Sequence, residues 1–155
     1  MAQGSEFKKL RRLVMIQAVI QLFLLVLLVY MAVNFLGGLQ AEGRPQRFLH
    51  SVITTLVIQL ALFFPINKLA VRDAQREIAS TATDLTADEL KNLRRKRLFS
   101  DYLKGAVFIF YVTFAYRAPK NLTVLSVIFY SFILTLLTYF QCYNFAARRL
   151  MREKN

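Results

Sequence analysis

The chain has 155 residues, 56% of them hydrophobic and 19% charged, with a formal charge of +12. A soluble domain of this size is about 45–50% apolar with about 25% charge, and its apolar residues are spread over amphipathic elements. Here they are gathered into blocks free of Asp, Glu, Lys and Arg, namely Leu13–Ala41, Phe48–Asn67, Gly105–Tyr116 and Leu122–Ala147. About 20 apolar residues are needed to cross roughly 30 Å of hydrocarbon. These blocks exclude an ordinary soluble domain, and the basic charge lies beside them, which argues for membrane topology and against nucleic acid as a partner.

The expected fold is an all-α integral membrane protein of four transmembrane helices, over about residues 13–36, 49–70, 102–118 and 122–143. The whole chain, 1–155, reads as one membrane domain that includes a cytoplasmic helical loop, 71–101. Placing the N-terminal tail, the central loop and the C-terminal tail inside assigns 17 basic residues to the cytoplasm and 4 to the outside. The positive-inside rule therefore predicts both termini in the cytoplasm, with a bacterial inner membrane as the expected location. The first block is too long for the roughly 7–15 apolar residues of a cleaved signal peptide. Ahead of it, Gly4-Ser5-Glu6-Phe7 reads equally well as a cloning scar or as a natural tail.

The first span is rich in leucine, valine and isoleucine, with Gln17 and Gln21 on one face at i,i+4 spacing. Amides so placed glue helices by roughly 1 kcal/mol and do not titrate. Gly37–Gln46, with three glycines and a proline, reads as a short turn-rich connection. His50 reads as an interfacial anchor. The second span carries Thr54, Thr55 and Gln59, then Pro65, which is expected to kink or end the ideal helix near its inner end. Beyond it, helix continues to Ile78 with Arg72, Asp73, Arg76 and Glu77.

Ser80–Thr86 is a polar break, and Thr86-Ala-Asp-Glu89 is a capping-box signature that opens a second cytoplasmic helix, Ala87–Ser100. Its last turns carry Arg94, Arg95, Lys96 and Arg97, a candidate surface for anionic lipid headgroups or an acidic partner, together with Lys104. The third span has an uncharged core of only about 18 Å. Lys104 and Arg117 are expected to snorkel at its two ends, or Lys104 to face a partner. Asn121-Leu-Thr123 matches a glycosylation sequon and is expected to be unused. In the fourth span Ser131 and Thr135 share a face, with Thr138 close to it, as hydroxyls for helix packing or polar contact.

No acid lies in any apolar block, which disfavours proton-coupled export. The lone Cys142 and His50 provide no ligand set, and no nucleophile–base pair stands out. No catalytic residue, metal or cofactor is therefore expected. Asp73, Glu77 and Asp101 read as ion-pair partners of Arg72, Arg76 or Lys104. The function expected is a non-catalytic accessory or scaffold subunit, assembling by lateral packing with copies of itself or with a larger membrane complex. The alternatives are a homo-oligomeric channel or facilitator lined by Gln17, Gln21, Gln59, Ser131 and Thr135, or a membrane-embedded sensor.

Overall fold

A computed structural model describes residues 3–80, 85–118 and 120–153. They form four helices: α1 (Gln3–Ala41), α2 (Gln46–Ala79), α3 (Ala87–Arg117) and α4 (Leu122–Glu153). Each is long and apolar enough to cross a membrane. The Ser80–Thr86 break falls partly outside the described residues, as does Pro119, and the side chains of Gly4–Phe7 lie outside them too.

All four helices overrun the apolar stretches that locate them. Hydropathy marks where a helix can meet hydrocarbon, whereas its ends are set by backbone capping. The clearest case is α3. The separate segments expected over Ala87–Ser100 and 102–118 are one unbroken helix, because nothing between Phe99 and Lys104 breaks a helix. The loop expected as a helical hairpin is thus the paired extension of α2 and α3 beyond their apolar stretches. Similarly α2 runs through Pro65 to Ala79.

The helix ends follow their local chemistry. Gly37 and Gly38 remain helical, contrary to the turn expected from residue 37 onward, and α1 stops at Gly43, which takes a φ of 70°. Its N–H donates to Gln40 O at 2.9 Å, and that of Arg44 donates to Leu39 O at 2.9 Å. This is a Schellman motif, in which glycine carries the left-handed residue without a Cβ clash. At α3 the expected capping box is present. The Thr86 hydroxyl accepts from Glu89 N–H at 3.4 Å, and Glu89 Oε2 accepts from Thr86 N–H at 2.9 Å. The Thr86 hydroxyl also donates to Glu89 Oε2 at 2.9 Å, and the bonds from the Thr86 backbone and side chain to this carboxyl hold it below its ordinary value. At α4 the sequon asparagine is a cap: Asn121 Oδ1 accepts from Thr123 N–H at 3.1 Å.

The helices run up and down, so the start of α1, the end of α2, the start of α3 and the end of α4 share one end of the bundle. The packing is uneven. α2 and α4 form the central pair, α1 rests mainly on α4, and α3 touches both central helices only sparingly. The reason is visible in the buried faces. Along α2 the buried residues Ser51, Thr55, Ala70 and Ala74 are small, and Ala70 and Ala74 are met by Ala146, Ala147 and Tyr143 of α4 and by Val14 of α1. In a bilayer, small residues let helix backbones approach and gain dispersion contact that the lipid does not supply. α3 has no such stripe, and Ser100 is its single buried residue.

Candidate functional site

The features with most chemistry sit at the shared end, one turn beyond the apolar stretch of α2, around Asp73. Ser100 of α3 donates its hydroxyl to the carboxylate, with Oδ1 at 2.8 Å and Oδ2 at 2.9 Å. Tyr139 of α4 donates to Oδ2 at 2.7 Å. The Lys104 ammonium lies 2.8 Å from the same oxygen, and Arg76 lies 3.6 Å from Oδ1. Three helices therefore converge on one carboxylate whose side chain is 10% exposed. A carboxylate removed from water needs its charge and lone pairs satisfied, and here each oxygen is.

Burial raises the Asp73 pKa. Hydrogen bonds from Lys104, Tyr139 and Ser100, with the Lys104 charge, outweigh it and hold the carboxyl below its ordinary value of 3.8. Lys104 is further enclosed by Asp101 at 3.6 Å and by the Tyr139 ring, whose centroid is 5.0 Å from Nζ. The adjoining turns add Arg97 to Glu77 at 3.6 Å and Arg76 to Lys96 O at 3.1 Å. The cluster is chemically a lock between helices. Its carboxylate, hydroxyls and ammonium are engaged with one another. Among the described residues no group of three or more His, Cys, Asp or Glu could hold a metal ion.

The residues singled out in the sequence are dispersed by the fold. Lys104 turns into the cluster, and its partners Asp73 and Asp101 are two of the acids expected to form ion pairs. Arg94, Arg95, Lys96 and Arg97 are exposed along the first turns of α3. Gln59 bridges the central pair, donating to Thr138 Oγ1 at 2.7 Å and Leu134 O at 3.3 Å. Thr135 instead faces α3, its hydroxyl 3.4 Å from that of Tyr111. Ser131 is buried with its hydroxyl unbonded. Gln17 and Gln21 are half-buried on α1, and Gln17 Oε1 is enclosed without a hydrogen-bond partner.

Sequence reasoning missed Ser100 and Tyr139 as members of the cluster. A serine in a basic helix carries no signal of its own, and Tyr139 looked like one of several aromatics near an interface. Lys104, a lysine just inside an apolar stretch, was the signal that a carboxylate must be close.

A second feature lies along the outward half of α3. From Gly105 to Arg117 no residue is buried, and Phe108, Ile109, Phe110, Phe114 and Tyr116 are all largely exposed. Several of the rings touch one another or α4: Phe110 and Phe114 at 4.6 Å between centroids, Tyr111 and Phe132 at 5.3 Å, Phe108 and Phe132 at 5.7 Å. No protein-family model, curated protein or solved structure shows significant similarity to this chain.

Proposed function

We propose that this protein is a non-catalytic scaffold or accessory subunit that assembles sideways in a bacterial inner membrane through α3. In this reading both termini and the paired extensions of α2 and α3 face the cytoplasm, as the charge distribution favours. The observation that carries the proposal is the contrast between α3 and the central pair. α3 is anchored at one end by the Asp73 cluster and beyond it offers a continuous wall of exposed aromatic rings. Aromatic side chains bury large areas with defined geometry and supply much of the contact energy in protein interfaces. The basic residues Arg94, Arg95 and Lys96 continue the same helix and suit acidic groups on a partner or on lipid.

The channel reading has less support. Gln59 spends its Nε2 donor on Thr138 and Leu134 between α2 and α4, and Thr135 faces α3 rather than Ser131's buried position. The remaining amides, Gln17 and Gln21, lie on a different helix.

The test is site-directed crosslinking in native membranes. In a Cys142→Ser background, Phe110→Cys and Phe114→Cys are treated with a short thiol-reactive crosslinker. A defined adduct, either a dimer or one discrete larger species, is expected from these positions and not from Leu22→Cys on the aliphatic face of α1. Absence of adducts at both α3 positions, or equal adducts at Leu22, refutes lateral assembly through α3.

A further inference from the structure

Beside the Asp73 cluster is a cavity of about 260 Å³ that all four helices help to line. Leu13 and Gln17 come from α1, Asp73 and Arg76 from α2, Arg94 and Arg97 from α3, and Tyr139 and Tyr143 from α4. Its volume falls short of the about 300–1,000 Å³ of pockets that enclose drug-sized molecules. It suits a polar headgroup and not a whole lipid. We infer that this cavity binds a phosphate-bearing headgroup, with Arg94 and Arg97 on the phosphate and Gln17 accepting a hydrogen bond from a headgroup hydroxyl or ammonium.

Three observations carry this. First, the acids around the cavity are occupied. Asp73 is held by Lys104, Ser100 and Tyr139, and Asp101 by Lys104. Glu77 is paired with Arg97 at 3.6 Å. Arg94 has no ion-pair partner among the described residues, and Arg97 touches Glu77 through one nitrogen and has further N–H donors to offer an anion. Guanidinium groups match phosphate oxygens in paired hydrogen bonds.

Second, Gln17 Oε1 is enclosed and lacks a donor. A buried acceptor without a partner is destabilising, and a donor on a ligand bound beside Gln17 would remove that cost. A phosphodiester group supplies no such donor, but the glycerol or ethanolamine attached to it does.

Third, the backbones of α1 and α3 nowhere approach within 8 Å of each other, although both line this cavity. In this reading the lateral way in runs between these two helices. A headgroup can therefore enter while its acyl chains stay in the bilayer. The cavity lies beyond the last apolar turn of α2 and ahead of the apolar stretch of α3, which in the membrane reading puts it near the bilayer surface. This favours a lipid over a soluble phosphate ester as the source.

The experiment uses the full chain in nanodiscs of phosphatidylcholine, with phosphatidylglycerol or phosphatidylethanolamine titrated in and retained lipid counted by native mass spectrometry. Arg94→Gln with Arg97→Gln is expected to weaken retention about tenfold or more. Arg148→Gln with Arg152→Gln removes equal charge from the end of α4, outside this cavity, and is expected to change it less than about twofold. Gln17→Leu keeps the volume and removes the acceptor, and is expected to weaken retention of both titrated lipids relative to phosphatidylcholine. Equal losses in the two arginine pairs mean diffuse surface attraction and overturn the site. No loss in the Arg94 and Arg97 pair also overturns it. Displacement of the lipid by millimolar inorganic phosphate or glycerol phosphate overturns the lipid assignment in favour of a soluble ester. None of these outcomes depends on lateral assembly through α3, so the two proposals fail separately.

Discussion

The Lys104 ammonium lies 2.8 Å from Oδ2 of Asp73, the same oxygen to which Tyr139 donates at 2.7 Å. One carboxylate thereby fastens α3 to α2 and α4. This matters because α3 has little else to hold it: apart from Ser100 its residues are half-buried or exposed. A charged hydrogen bond contributes about 1.5–3 kcal/mol net, comparable to burying one large apolar side chain.

Lys104→Met and Asp73→Asn are each expected to destabilise the protein by about 1–3 kcal/mol. The lower end allows for Lys104 being 38% exposed at its side chain. In the double variant the losses are expected to be less than additive by at least about 0.5 kcal/mol. Denaturant titration in detergent micelles measures all three, and strict additivity would show that the two groups do not interact.

The same cluster predicts a pH response. A carboxyl whose pKa is lower in the folded state contributes stability that is full above its unfolded value. For Asp73 that value is 3.8, and the contribution is lost as the pH falls through the lower folded value. The unfolding midpoint is therefore expected to be flat with respect to this group from about pH 5 to 8 and to fall in stronger acid. Asp73→Asn removes that part of the acid loss. If wild type and variant lose stability in parallel below pH 3.8, the cluster is not its source.

Two glycines at the end of α1 are expected to respond oppositely to alanine. Gly37 is helical, and an added Cβ there meets nothing within 4 Å. Gly37→Ala should stabilise by about 0.5–1 kcal/mol, since glycine loses more backbone entropy in a helix. Gly43 holds a φ of 70° in the Schellman turn. Gly43→Ala should cost about 1 kcal/mol from the left-handed clash. Thermal unfolding midpoints that move in the same direction for both would refute this reading of the turn.

Removing the α3 cap has a local signature. Thr86→Ala is expected to cost about 1 kcal/mol and to speed amide exchange in the first turn, Ala87–Leu90. Exchange around Ser100 and beyond should stay unchanged because the Asp73 cluster anchors that part independently. Uniform acceleration along α3 would mean that the helix opens as one unit from its start.

Some of this architecture is legible residue by residue. The capping box at Thr86 and Glu89 involves four consecutive residues, so spacing alone reveals it. Where α1 ends was less visible. Three glycines within Gly37–Gly43 all resemble turn residues, and only the backbone path shows that the third takes the positive φ. The expected break before Tyr102 failed for a related reason. Hydropathy separated a charged stretch from an aromatic one, but neither contains a residue that stops a helix.

By itself the sequence determined that the chain has four helices apolar enough to cross a membrane and that its basic residues crowd between particular blocks. Both follow from local quantities, because the cost of putting a side chain in hydrocarbon depends mainly on that side chain. The tertiary structure decided which helices are neighbours, and through that the Asp73 cluster. Close packing of α2 on α4 depends on Ala70 and Ala74 finding Ala146 and Ala147 across two intervening turns and a helix, and alanines give no sign of their partners. Once that pair is set, Tyr139 reaches Asp73, α3 is drawn in by Ser100 and Lys104, and α1 and α3 are left apart around a cavity.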